Sequence, residues 1–228
     1  MSYLLCIETS TTNCSVALSL KGNIVSFKED NSKNYSHAES LHVFIEALLA
    51  EAKVSLQQID AIVVSKGPGS YTGLRIGVSA AKGLCYALDI PLISINTLES
   101  LAHQTTHSTT PSFIVPMLDA RRMEVYTATY NNHYDCLDTT HAKILDETSY
   151  MVLLDKQKTI FIGNGVTKFK EICTHNNAVI IEDALPSAKQ LGKLGYQKFQ
   201  NNDFDDVAYF EPYYLKDFVA GKPKQKKQ

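Results

Sequence analysis

The residues whose types and spacing could do chemistry fall into three groups: a glycine loop, two acids that close apolar runs, and seven histidines. The loop is Lys66-Gly67-Pro68-Gly69-Ser70-Tyr71-Thr72-Gly73. Glycines before a helix expose backbone N–H groups where the helix dipole favours an anion, so the loop is a candidate phosphate cradle. Two features count against a nucleotide motif. The loop lacks the Gly-Lys-Ser/Thr ending of a P-loop, and Gly67, Gly69 and Gly73 are spaced GxGxxxG, one residue longer than the dinucleotide fingerprint. A tight turn made by Gly and Pro explains the same composition. Ser70 does not sit in a nucleophile elbow, which requires glycine two positions to either side of the serine. The acids are Glu8 and Asp119, which occupy matching places after apolar runs. Asp119, Arg121, Arg122 and Glu124 form a charged turn that could hold an anion, or a solvated salt-bridged hairpin. Glu8 could face a ligand, or hydrogen-bond the turn that follows it. Glu8, Gly67, Gly69, Thr72, Asp119 and Arg121 are therefore the candidate anion or nucleotide contacts.

The histidines are the place to look for metal. His103 and His107 have the i, i+4 spacing that puts two imidazoles on one helix face. Gln104 replaces the Glu of a metalloprotease motif, however, and the run of Thr, Ser and Pro from Thr105 to Pro111 signals a fraying end. His37 and His42 point to different sides of their helix, and His133, His141 and His175 have no close partners. Solvated or capping histidines and no metal site are the expectation.

The elements that must position these residues follow from periodicity. Ile62, Val63 and Val64 read as a buried strand leading into the glycine loop, and a helix follows Thr72. On that helix Gly73, Gly77, Ala80 and Ala87 are small residues at helical spacing, while Arg75, Ser79, Lys82 and Tyr86 form a narrow polar stripe. Such a helix must bury two sides, one on its own sheet and one on another helix. Earlier in the chain, Ser36 and Glu39 form a capping box for a helix to about Lys53. That helix also has two apolar stripes: Leu41, Ile45, Leu48 and Ala52, and then Val43, Ala47, Ala50 and Val54. Tyr3 to Glu8, Cys14 to Leu20 and Ile24 to Lys28 read as a three-stranded meander. After a strand at Pro91 to Ile95 and a helix at Thr97 to Gln104, the pattern restarts. Strands at Phe113 to Leu118 and Glu124 to Tyr130 precede a helix at Glu147 to Leu154 and a strand at Thr159 to Ile162. A helix to about Cys173, a strand at Val179 to Ile181 and a helix at Ser187 to Gln200 complete the second half.

Composition bounds the function. The chain has 228 residues, 44% hydrophobic and 20% charged, as expected of a globular protein with a sizeable core. A net charge of −2 provides no electrostatic footprint for binding nucleic acid unaided. Five scattered cysteines without CxxC point to neither disulfides nor zinc, and Cys6 and Cys85 read as buried thiols. With no signal-peptide pattern and no apolar run of membrane-spanning length, a cytoplasmic protein is expected.

Two copies of a meander followed by helix and strand units imply an α/β fold with pseudo-twofold symmetry, as in the actin, sugar kinase and Hsp70 class. The expected division is a first subdomain over 1–108, a second over 109–220 and a disordered basic tail over 221–228.

The central stretch Lys66 to Gly77 closely resembles the signature of the bacterial TsaB (YeaZ) family. So do Ile7-Glu8-Thr9-Ser10, His37-Ala38-Glu39-Ser40-Leu41, Asn96-Thr97-Leu98-Glu99, Asp119-Ala120-Arg121 and Glu124-Val125-Tyr126. The resemblance implies the duplicated actin-like fold and a role in threonylcarbamoyl transfer to A37 of tRNAs that read codons starting with A. The family is similar to the catalytic subunit TsaD, whose metal-binding His-Leu-Glu-Gly-His follows the equivalent strand. Here the residues are Thr97-Leu98-Glu99-Ser100-Leu101, so both ligands are absent. The implied role is a pseudo-enzyme subunit that activates TsaD, with TsaE as a further partner and tRNA reached through the complex. No tightly bound cofactor is implied, and ATP or ADP would enter only within the complex. The partner surface implied is Val43, Ala47, Ala50, Gly73, Arg75, Gly77 and Ala80, available to TsaD or to a second copy of this chain. The rival reading is an autonomous enzyme, an ATP-using phosphotransferase or a metallopeptidase-like protein of the actin-like class.

Overall fold

The computed structural model describes residues 2–31, 37–105 and 112–216. The chain opens with β1 (Tyr3–Glu8), β2 (Cys14–Leu20) and β3 (Asn23–Asp30), then α1 (His37–Ala52), β4 (Ile59–Gly67), α2 (Tyr71–Leu88), β5 (Leu92–Asn96) and α3 (Thr97–Ala102). It continues through β6 (Phe113–Asp119), β7 (Glu124–Asn131), β8 (Cys136–Ile144), α4 (Met151–Leu154), β9 (Thr159–Ile162), α5 (Val166–Lys170), β10 (Ala178–Ile181) and α6 (Ala188–Gln200). The first five strands form a sheet in the order β3-β2-β1-β4-β5, and the last five form one in the order β8-β7-β6-β9-β10. In each sheet the meander is antiparallel and the two later strands join in parallel. The same topology thus occurs twice, which is the duplicated actin-like α/β fold.

The central strands carry continuous apolar runs because both of their faces are covered. Leu5 and Ile7 of β1 pack with Leu41, Ile45 and Leu48 of α1 and Val78 and Ala81 of α2. Leu4 and Cys6 face the other way, onto Ala188, Leu191 and Leu194 of α6. The helix α6 lies close on this sheet: a Cβ at Gly195 would come within 2.5 Å of Val63 Cγ2. A helix from late in the chain therefore completes the first sheet, so the spatial halves do not coincide with a division of the sequence near residue 108. Beyond α6 the chain crosses the open edge of β5, where Asp205 N–H donates to Leu92 O at 2.9 Å and Ser94 N–H donates to Asp205 Oδ2 at 2.7 Å. It then runs along α2, where Val207 and Phe210 pack on the first core.

Several sequence expectations are corrected. Strand β8 carries no apolar alternation and is exposed over its first half, because it is an edge strand with one neighbour. The helix expected from Glu147 is limited to Met151–Leu154, and the helix toward Cys173 is Val166–Lys170. The helix expected to Gln104 ends at Ala102. The Ser36 cap, His107 and the 221–228 tail lie outside the described residues.

Candidate functional site

Helix α2 begins at the glycine loop because Ser70 caps it, its Oγ accepting from Gly73 N–H at 3.3 Å. That assigns Ser70 a structural role in place of a nucleophilic one. The loop is anchored to the turn after β1, with Ser70 N–H donating to Ser10 O at 2.6 Å. Opposite it stands the β6–β7 hairpin. Between them lies a cleft of about 610 Å³, with Ser10, Gly69 and Thr72 on one wall and Asp119, Arg121 and Asn164 on the other.

Asp119 and Glu8 make equivalent backbone hydrogen bonds. Asp119 Oδ1 accepts from Arg121 N–H at 2.6 Å, and Glu8 Oε1 accepts from Ser10 N–H at 2.6 Å. Their surroundings then diverge. Asp119 is exposed and its Oδ1 also accepts from Lys168 Nζ at 2.7 Å, while its N–H donates to Asn164 Oδ1 at 3.0 Å. Glu8 is fully buried, its Oε2 has no hydrogen-bond partner among the described residues, and burial pushes its carboxyl above the ordinary range. The cleft brings together Gly69, Thr72, Asp119 and Arg121 of the six anion candidates. Glu8 and Gly67 do not line it. Gly67 is buried beneath the C-terminal segment: its N–H donates to Thr97 Oγ1 at 3.1 Å, and a Cβ there would meet Tyr213 O at 2.7 Å. The cleft is closed at one side by Tyr213, Tyr214 and Lys216, with Lys216 hydrogen-bonded to Glu124. Sequence reasoning assigned no role to these residues. The cluster Tyr209, Phe210, Tyr213 and Tyr214 in a polar stretch was the available signal.

The arrangement offers an anion the α2 N-terminus and Arg121, with Asp119 already engaged by Lys168. Among the described residues no three His, Cys, Asp or Glu side chains gather as a metal set. His37, expected as a solvated or capping ring, is buried, with Nε2 2.7 Å from Thr11 O. His103 stacks on Tyr134 at 3.9 Å between ring centroids.

The outer face of α1 and α2 is the second candidate surface. Val43 is 59% exposed, Ala50 is exposed, and Ala47 and Ala80 are half-buried. Two members of the expected surface are interior residues. A Cβ on Gly73 would lie 2.1 Å from Thr9 O, and one on Gly77 would lie 2.3 Å from Thr9 Oγ1, so these glycines bring α2 onto its own chain. The polar stripe is partly engaged too. Arg75 Nε donates to Tyr214 Oη at 3.3 Å with its guanidinium 4.2 Å above the Tyr71 ring, and Lys82 Nζ donates to Ala208 O and Phe210 O at 3.1 and 2.9 Å. What stays open on α2 is Ser79, Gly83, Ala87 and Tyr86, the last 87% exposed.

A sequence profile described as "TsaD: tRNA N6-adenosine threonylcarbamoyltransferase" matches residues 31–224. Relatives named "tRNA threonylcarbamoyladenosine biosynthesis protein TsaB" span almost the whole chain. The Bacillus subtilis protein is 30% identical over 93% of both chains, and the Escherichia coli protein is 28% identical over 96% of both. The solved structure of YeaZ from Pseudomonas aeruginosa superposes with a TM-score of 0.80 at 28% identity, covering 94% of this chain and 100% of that one.

Proposed function

The chain belongs to the tRNA N6-adenosine threonylcarbamoyltransferase family, in its TsaB (YeaZ) branch, and from that premise we propose that it serves threonylcarbamoyladenosine biosynthesis as the non-catalytic partner that activates TsaD. The observation that carries this reading is the open face of α1 and α2. Val43 and Ala50 on α1 and Gly83, Tyr86 and Ala87 on α2 are exposed, and a Cβ added at Gly83 would meet nothing within 4 Å. A second pair of helices could come close at these small residues and cover the exposed Val43 and Tyr86. TsaD would dock on this face, a second copy of this chain would compete for it, and TsaE would join at the junction. ATP or ADP and tRNA would be reached through the complex, since a net charge of −2 supplies no cationic surface for RNA.

Positions 97 and 101 support the non-catalytic part of the reading. Thr97 is fully buried, with its Oγ1 2.7 Å from Ser65 Oγ, and Leu101 is core. Both positions serve packing rather than a metal. The test is threonylcarbamoyl transfer to tRNA by purified TsaD and TsaE, supplied with threonylcarbamoyl adenylate and ATP, with and without this protein. Transfer that depends on adding it, with none by the protein alone, is the expected result. Transfer by the protein alone would favour the autonomous enzyme, with Gly69, Thr72 and Arg121 of the cleft as its nucleotide contacts.

A further inference from the structure

The segment that follows α6 displays a tyrosine to solvent on a tightly held turn. Ala208 N–H donates to Asp206 Oδ1 at 2.8 Å, Tyr209 N–H donates to the same oxygen at 3.2 Å, and Phe210 N–H donates to Asp206 O at 2.8 Å. Asp206 thus closes residues 206–210 into a turn, using its side chain in place of a backbone acceptor. Val207 and Phe210 pack inward on the first core, while Tyr209 between them is 85% exposed. The backbone that carries this ring is therefore fixed from both sides.

Lys82 binds the turn to α2. Its Nζ donates to the carbonyls of the two residues flanking Tyr209, Ala208 O at 3.1 Å and Phe210 O at 2.9 Å. Tyr86 stands one turn further along α2 on the same side as Lys82 and is 87% exposed. Tyr86 and Tyr209 are the two most exposed large hydrophobic side chains among the described residues. Tyr86 belongs to the open face of α1 and α2, so Lys82 makes the turn continuous with that face. Burying a tyrosine held in this way removes a large ring from water and leaves little backbone freedom to be lost on binding. We propose that the partner docked on α1 and α2 also closes over this turn and takes the Tyr209 ring into an apolar pocket beside its docking helices, with Lys82 as the positioning residue. The inference rests on the docking of TsaD at α1 and α2, and it adds the segment after α6 to the surface that TsaD recognises.

The test measures binding of TsaD to the full chain by titration calorimetry, comparing wild type with Tyr209→Ala, Lys82→Met, the double variant and Val43→Glu. The dissociation constant should rise about tenfold in Tyr209→Ala and less in Lys82→Met. The double variant should bind no more weakly than Tyr209→Ala, because Lys82 acts through the tyrosine. The Tyr209 ring is exposed, so Tyr209→Ala keeps the fold, and an unchanged urea midpoint verifies this. Unchanged affinity in Tyr209→Ala, or single-variant effects that simply add, would overturn the proposal alone, provided that Val43→Glu abolishes binding. A wild-type chain that does not bind TsaD, or a Val43→Glu chain that binds it normally, would overturn the docking reading and the proposal with it. Self-association weakened by Tyr209→Ala while TsaD binding stays intact would assign the tyrosine to a second copy of this chain and likewise overturn the proposal.

Discussion

Thr9 is the residue on which the seating of α2 depends. Its Oγ1 donates to Gly73 O at 2.7 Å, and the two glycines a turn apart on α2 leave room for it. Gly77→Ala should therefore lose stability, because overpacking costs about 1–3 kcal/mol and exceeds the helix-propensity gain of about 1 kcal/mol. Gly83→Ala, on the same helix but with open space around it, should gain about 0.5–1 kcal/mol. Urea unfolding of the two variants distinguishes these outcomes, and a stable Gly77→Ala protein would put the close approach in error. The three glycines Gly73, Gly77 and Gly83 look alike in sequence; only the position of Thr9, from a turn after another strand, separates inward from outward. Glu8 makes a pH prediction. Burial raises its folded pKa above the ordinary 4.5, so the native state holds the proton more tightly than the unfolded chain. The stability this confers is present below the unfolded value and is lost as pH rises through the folded one. Glu8→Gln should remove that part of the decline, and urea midpoints compared from acidic to neutral pH would show the wild-type curve falling relative to the variant.

At the scale of elements, α2 serves two neighbours besides its own sheet: the open face and the segment held by Arg75 and Lys82. Val43→Glu and Gly83→Glu place charge on the open face without touching the core. Both should abolish stimulation of TsaD while leaving the unfolding transition of the free protein within about 0.5 kcal/mol of wild type. Co-elution with TsaD and denaturation of the free chain measure the two halves of that statement. Asp205→Ala should act differently. It removes the acceptor for the Ser94 N–H, costing about 1–3 kcal/mol, and should expose the chain after Gln200 to limited proteolysis. The central elements were legible because a strand buried on both faces carries a continuous apolar run, as residues 4–7 of β1, 61–64 of β4 and 113–118 of β6 do. The edge strand β8 was not, since its residues face water and resemble a loop. The segment along α2 was hidden for a related reason: Lys82 is bound by main-chain carbonyls of Ala208 and Phe210, which leave no trace in residue type.

For the whole molecule, the repeated topology was readable from the restart at Phe113, and the way the halves join was not. α3 lies between them: Leu98 and Leu101 pack with Ile114 and Leu118 of the second sheet, and Asn96 Nδ2 reaches Thr140 Oγ1 at 2.9 Å. The cleft follows from the same junction, which is why four of its candidate residues could be named from strand ends while its third wall, from Tyr213 to Lys216, could not. The packing of α6 on the first sheet has a consequence for biosynthesis. While the ribosome is still adding residues before Ala188, Leu4, Cys6, Ala61 and Val63 form a naked apolar sheet face. That face is thus uncovered until α6 has been made, and a product terminated before Ala188 would display it to chaperones and proteases.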